Sequence, residues 1–158
     1  SAGGLTDASR RVLSKHTVSN ADAAVTATTA ETDLASVTIS ANVLSTTGGL
    51  RVTAAGTVTG SAGTKRVRLY FGATAIGDTT AVSGTADWYF KAEIFNTATN
   101  AQRCLIQWSD PVNATNHNKD YITAAIDTTA NVTLKATGTL GNSADTITQT
   151  MWLVEAIL

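Results

Sequence analysis

The chain has 158 residues, enough for one domain with a single hydrophobic core that buries about 70% of the surface its unfolded form exposes. Charged residues make up only 15%, the net charge is -1 and the pI is near 6.0, so no basic field exists to hold a polyphosphate backbone, and nucleic acid is not an expected partner. The single cysteine, Cys104, excludes an intrachain disulfide and a Cys-x-x-Cys zinc site.

Abundant Thr, Val and Ile with one Pro point to strands, and the glycines fall in short clusters that read as turns. The expected class is all-β. Residues 1–30 stand apart: "SAGGLTDASRRVLSKHTVSNADAAVTATTA" has no sustained period, and Leu5, Val12, Leu13, Val18 and Val25 are too sparse to form a core. This segment is expected to be an extended N-terminal arm with one helical turn near Ser9 to Ser14, mobile in solution unless it docks. It lacks the apolar core of a secretion signal, and no stretch approaches the roughly 20 apolar residues of a membrane span, so the chain reads as soluble, with no membrane partner. The leading Ser is a residue from which an initiator Met is removed, and the chain is therefore expected to be a nearly complete gene product.

Residues 31–158 read as one β-sandwich domain. In "LASVTIS" Val37 and Ile39 alternate with polar neighbours, as do Leu50, Val52 and Ala54 in "LRVTAAGTVTG". "SAGT" supplies turn residues before "KRVRLYFG", where Val67, Leu69 and Phe71 oppose Arg66, Arg68 and Tyr70, and the two runs are predicted to form a hairpin. A weaker strand over 73–82 is interrupted at Gly77 and Asp78. "DWYFKAEIFN" concentrates aromatics: Trp88, Phe90, Ala92 and Ile94 share the inward parity, and Lys91 and Glu93 face solvent. Tyr89 and Phe95, on the solvent parity, are unexplained by one chain alone.

"AQRCLIQWS" puts Cys104, Ile106 and Trp108 on one side with Gln102. The polar loop "DPVNATNHNKD" follows, then the runs "YITAAI", "NVTLKATGTL" and "DTITQTMWLVEAIL". About eight strands at this spacing describe an antiparallel β-sandwich or jelly roll. In the last run both parities are apolar through Met151, Trp152, Leu153 and Val154, the pattern of a strand covered on both faces. Together with Tyr89 and Phe95, these four residues are the expected subunit interface of a homo-oligomer.

No catalytic signature emerges. The histidines are His16 and His117; His117 lies near Ser109, Asp110 and Asp120 at spacings that match no nucleophile motif, and there is no Gly-x-Ser-x-Gly elbow. His117 reads as a solvated loop residue. Asp78, Asp87, Asp110, Asp120, Asp127 and Asp145 sit at turns and strand ends, where lone Asp caps turns more often than it forms a glycosidase pair. The loop "DPVNATNHNKD" offers oxygen ligands without the spacing of a calcium loop. Arg66, Arg68 and Tyr70 read as an exposed, charge-paired strand face, and Cys104 as a small buried residue. No cofactor or metal is expected, and the chain is not expected to be an enzyme.

The runs "ETDLASVTISANVL", "GGLRVTAAGTVTG", "KRVRLYFG", "DWYFKAEIFNTATNAQR" and "NVTLKATGTLGNSADTITQTMWLVEAIL" resemble small jelly-roll structural proteins of tailed bacteriophage virions, over about residues 31–157. The resemblance implies a homotrimer without enzymatic activity or catalytic residues. Of two virion roles, capsid decoration places trimers on the outer surface of the shell, against its major capsid protein, after assembly in the host cytoplasm. The N-terminal residues Arg10, Arg11, Val12, Leu13 and Lys15 suit a peptide that orders on such a shell. The other role is a tail or head fibre module, in which the polar loop, Tyr89 and Tyr121 meet a host-surface glycan.

Overall fold

The computed structural model describes residues 10–16, 23–79, 83–109 and 117–158. These contain eleven strands and are all-β. They are β1 (Arg10–His16), β2 (Ala23–Thr26), β3 (Thr32–Ile39), β4 (Gly49–Thr59), β5 (Lys65–Phe71), β6 (Thr74–Asp78), β7 (Ala86–Ala98), β8 (Ala101–Ser109), β9 (His117–Ala124), β10 (Val132–Leu140) and β11 (Thr146–Ile157). All pairs are antiparallel. A seven-stranded sheet runs β1-β11-β4-β7-β8-β9, with β2 also on β11, and a four-stranded sheet runs β3-β10-β5-β6.

Strand alternation explains the layers. In β7 the side chains of Trp88, Phe90, Ala92 and Ile94 are buried, while those between them are exposed or half-buried. They meet Leu69, Phe71, Leu134 and Ala136 of the smaller sheet in one continuous core. Trp88 and Phe90 pack with tilted rings 6.2 Å apart, and the Trp88 indole N–H donates to the Thr148 carbonyl at 3.2 Å. The sheets approach closely where β6 crosses the larger one. A Cβ on Gly77 would lie 2.8 Å from the Phe90 ring, so only glycine fits there.

Several expectations are corrected. The described residues hold eleven strands, against about eight, because the N-terminal residues add two and the weak run forms a strand of its own, β6. Where a helical turn was expected near Ser9 to Ser14, Arg10–His16 forms β1 along the C-terminal half of β11, and β2 takes the same edge along its N-terminal half. Val25 of β2 is buried in the core, and Leu13 of β1 packs against it. Edge strands of this kind bury one or two side chains each, too few for the pattern to register in the sequence.

The predicted β4–β5 hairpin does not form. β4 pairs with β7 and β11, and β5 pairs with β6 and β10, so the "SAGT" turn carries the chain from one sheet to the other. Turn residues mark a reversal without specifying the partner. β6 spans Thr74–Asp78, and its pairing with β5 shifts register between Ala75 and Gly77, so the expected irregularity near Gly77 and Asp78 is a bulge within the strand and its end at Asp78. β9 begins at His117, four residues before the expected run, and its polar start pairs with Gln107, Trp108 and Ser109.

Candidate functional site

Several titratable candidates among the described residues are taken up by structure. Cys104 is fully buried, and burial pushes its thiol up to about 11, so no thiolate is available as a nucleophile near neutral pH. The Asp127 carboxylate accepts from the Thr129 hydroxyl at 2.6 Å and the Thr129 backbone N–H at 2.9 Å, which hold it below the usual carboxylate range. Asp120 accepts from the backbone N–H of Tyr121 at 2.8 Å. Asp110, Asn113 and most of the polar loop lie outside the described residues, as do the side chains of His16 and His117. Among the described residues no group of His, Cys, Asp or Glu could hold a metal ion, and no helix is long and apolar enough to cross a membrane.

Arg66, Arg68 and Tyr70 do form a charge-paired face. Arg66 and Arg68 share Asp78, Arg68 also reaches Glu31 at 3.1 Å, and the Tyr70 hydroxyl donates to Glu31 at 3.1 Å. The Thr137 hydroxyl donates to Glu31 at 2.6 Å and, with Arg68 and Tyr70, holds its carboxyl below the usual range against the opposing effect of burial. Lys135 bonds Asp33 at 2.8 Å and lies 5.8 Å from the Tyr70 ring centre. Three cations and three carboxylates cancel on this outer face of the smaller sheet.

Two polar clusters escaped sequence reading. Lys65 and Asp145, both fully buried, form an ion pair at 2.9 Å; Lys65 also donates to the carbonyls of Ser61 and Gly63, and Asp145 accepts from the Ser61 N–H at 2.7 Å. This clasp ties the β4–β5 turn to the start of β11. At the opposite end, the Gln102 amide donates to Asn96 and to the Ile126 carbonyl and accepts from the Ile126 N–H, while Asn96 donates to the Ser45 carbonyl and the Thr128 hydroxyl. The available signal was parity, because Lys65 and Gln102 both fall on inward positions of otherwise apolar strands.

Exposed apolar side chains of the described residues gather on the outer face of the seven-stranded sheet. Val12, Leu105, Tyr121 and Met151, four large apolar or aromatic side chains exposed among the described residues, stand on it. Met151 is 50% exposed and Tyr121 is 64% exposed. Tyr89, Phe95 and Leu153 are half-buried on the same face. Trp152 and Val154 point the other way, into the core, and the Trp152 indole N–H donates to the Ser14 hydroxyl at 3.0 Å. The expected interface set thus divides between two sides of the sheet. Phe95 has a partner within the chain: its ring lies over Gly49 of β4, where a Cβ would come within 2.5 Å of it.

Arg10 holds Glu155 at 2.6 Å and Arg51 holds Glu93 at 2.9 Å across this face. Val12 and Lys15 of β1 are exposed at its margin, while Arg11, paired with inward-facing Ala156, is exposed on the other side of the strand. Between β4, β7 and β8 lies a depression of about 380 Å³ lined by Arg51, Thr53, Lys91, Glu93, Leu105 and Gln107.

No protein-family model matches this chain, and no curated protein matches it. Among solved structures, it is similar to one described as the structure of the Gt strain of infectious bursal disease virus, at 14% identity and a TM-score of 0.39. That similarity covers 94% of this chain and 33% of the other, so the present chain spans about a third of the chain it is similar to.

Proposed function

We propose that this chain is a non-enzymatic structural protein of a bacteriophage virion, a homotrimeric capsid decoration protein that binds the outer surface of the shell and stabilises it. The observation that carries the reading is where polarity goes. Among the described residues, Glu31, Asp33, Asp78 and Asp145 are held in ion pairs, the thiol is buried, and the Gln102 and Asn96 amides are bonded within the fold, while large apolar side chains stand exposed on one sheet face, a division that suits fixed protein contacts and not turnover. The virion-protein resemblance of residues 31–157 supplies the context.

In this reading Met151, Leu153 and Tyr89 meet a neighbouring subunit, and Trp152 and Val154 support that contact from within the core. The N-terminal segment anchors the trimer through Arg10, Arg11, Val12, Leu13 and Lys15. β1 suits that role because, among the described residues, it pairs along one edge, with β11, and the side chains of Arg11, Val12 and Lys15 are exposed to a partner. The major capsid protein is the partner proposed.

The test is copy number per particle, by quantitative mass spectrometry of purified virions against the major shell protein. Hundreds of copies are expected; absence from particles would overturn the reading. Deleting residues 1–16 should leave a folded sandwich that no longer coats particles, and unchanged coating would remove the anchoring role. Exposed Tyr121 favours one second reading, a fibre module that binds a host-surface glycan. A handful of copies per particle, with binding of isolated protein to host polysaccharide, would select it.

A further inference from the structure

We infer that the β7–β8–β9 half of the outer sheet face is a docking surface for an acidic protein surface. Lys91 stands beside Gln107, and Gln107 beside Lys119; Leu105 stands beside Tyr121; Arg103 is next along β8. All six side chains are exposed. Among the described residues, Lys91, Arg103 and Lys119 have no carboxylate within ion-pair distance, unlike the arginines of the smaller sheet, which are all engaged.

The carboxylates of these strands do not neutralise them. Glu93 is held by Arg51, Asp120 accepts from the backbone of Tyr121, and Asp87 stands toward the other end of β7, opposite Thr57. Three unpaired cations around an aliphatic and an aromatic side chain require an occupant that brings negative charge and apolar contact together. A second copy of the same patch would oppose like charges. Duplex nucleic acid fits poorly, since it offers regular phosphates and no apolar complement to Leu105.

The depression beside Lys91 and Gln107 gives such an occupant a seat. Its wall includes Leu105, and its far side is the Arg51–Glu93 pair, whose side chains are 44% and 42% exposed. An exposed pair of this kind is held weakly, so Arg51 can turn to an incoming carboxylate at little cost. The inference rests on the virion reading for where the acidic partner sits, and on the patch itself for that partner's charge.

The test uses the full chain and labelled poly-L-glutamate, followed by fluorescence anisotropy at low and high salt. K91Q/R103Q/K119Q should bind about tenfold more weakly, with a shallower salt dependence. S36E/T38E/T133E applies the same change in net charge to the exposed face of the smaller sheet and should bind within about twofold of the parent. Leu105→Ser should weaken binding without changing the salt slope. Equal losses from both triple variants, no binding by the parent chain, or tighter binding of duplex DNA than of poly-L-glutamate would overturn the inference, as would dissociation of the native oligomer by K91Q/R103Q/K119Q.

Re-coating of stripped particles by the same variants then separates the two ideas. If the parent chain does not coat particles while the poly-L-glutamate result stands, the virion reading fails and the acidic-surface inference survives. If the parent coats and K91Q/R103Q/K119Q coats equally well, the face is not the shell contact and the inference fails.

Discussion

Lys65 and Asp145 show how a charged pair becomes part of a core. Lys65 opens a strand in which Val67, Leu69 and Phe71 point inward, so its parity commits it to the interior, and only a buried anion makes that tolerable. The parity was legible; the partner, 80 residues away in the chain, was not. Lys65→Met leaves the Asp145 carboxylate buried without its cation and should lower Tm by on the order of 10 °C, while Lys65→Met with Asp145→Leu should recover most of the loss. Equal melting of Lys65→Met and the parent protein would contradict this. The Asp145 carboxyl titrates below its ordinary 3.8, chiefly because Lys65 donates to it, with the Ser61 N–H second. A depressed carboxylate stabilises the fold fully above that ordinary value, and the contribution is lost as pH falls through the lowered one. Tm of the parent should therefore fall more steeply below about pH 4 than Tm of Asp145→Asn. At Cys104 the same burial that raises the thiol also blocks access. Maleimide at pH 8 should leave the native chain unlabelled and label it fully in denaturant; rapid native labelling would mean that β8 opens readily.

Strands were legible one at a time, because a half-buried strand writes its inward face at every second position. The inward set of β7 and the Gln102 side of β8 appear in the fold as read. Pairing was illegible, because "SAGT" bends the chain equally well into a hairpin or across to the other sheet. A bulge between Gln149 and Met151 switches the inward parity of β11, from Ile147 and Gln149 to Trp152, Val154 and Ala156; beyond it Met151 and Leu153 are apolar on the outer face, which the bulge does not explain. β11 is flanked by β4 on one edge and, on the other, by β2 over 146–149 and by β1 over 152–157. Strands so placed open with the whole sheet, whereas β1 is joined along one edge among the described residues. Hydrogen exchange should give the slowest amides in β4, β7 and β11 and markedly faster ones in β1. Protection of β1 equal to that of β11 would show that β1 is locked from its outer side by another chain. Gly77→Ala should separate the elements differently, driving a methyl into the Phe90 ring at a cost of about 1–3 kcal/mol.

For the whole molecule, the two outer faces differ in how they treat charge and apolar surface. The smaller sheet cancels three cations against three carboxylates and exposes no large apolar side chain among the described residues. The larger sheet exposes Val12, Leu105, Tyr121 and Met151, and among the described residues Lys91, Arg103 and Lys119 have no ion-pair partner. In a chain with a net charge of -1, this concentration of both features on one side is what the proposed contacts rest on. The proposed division is that Met151, Leu153 and Tyr89 meet a copy of the chain, while the strands from β7 to β9 meet an acidic partner. Charge placed in the first region should break the oligomer without touching the second. Met151→Glu with Leu153→Glu should shift the species seen by sedimentation velocity from trimer to monomer, with β-sheet circular dichroism unchanged, because neither side chain contributes to the buried core. Poly-L-glutamate binding per chain should change much less than in K91Q/R103Q/K119Q. A parent chain that sediments as a monomer at micromolar concentration would remove the copy contact and leave the whole face to its other partner. A trimer that survives both glutamates would place the contact on a different surface.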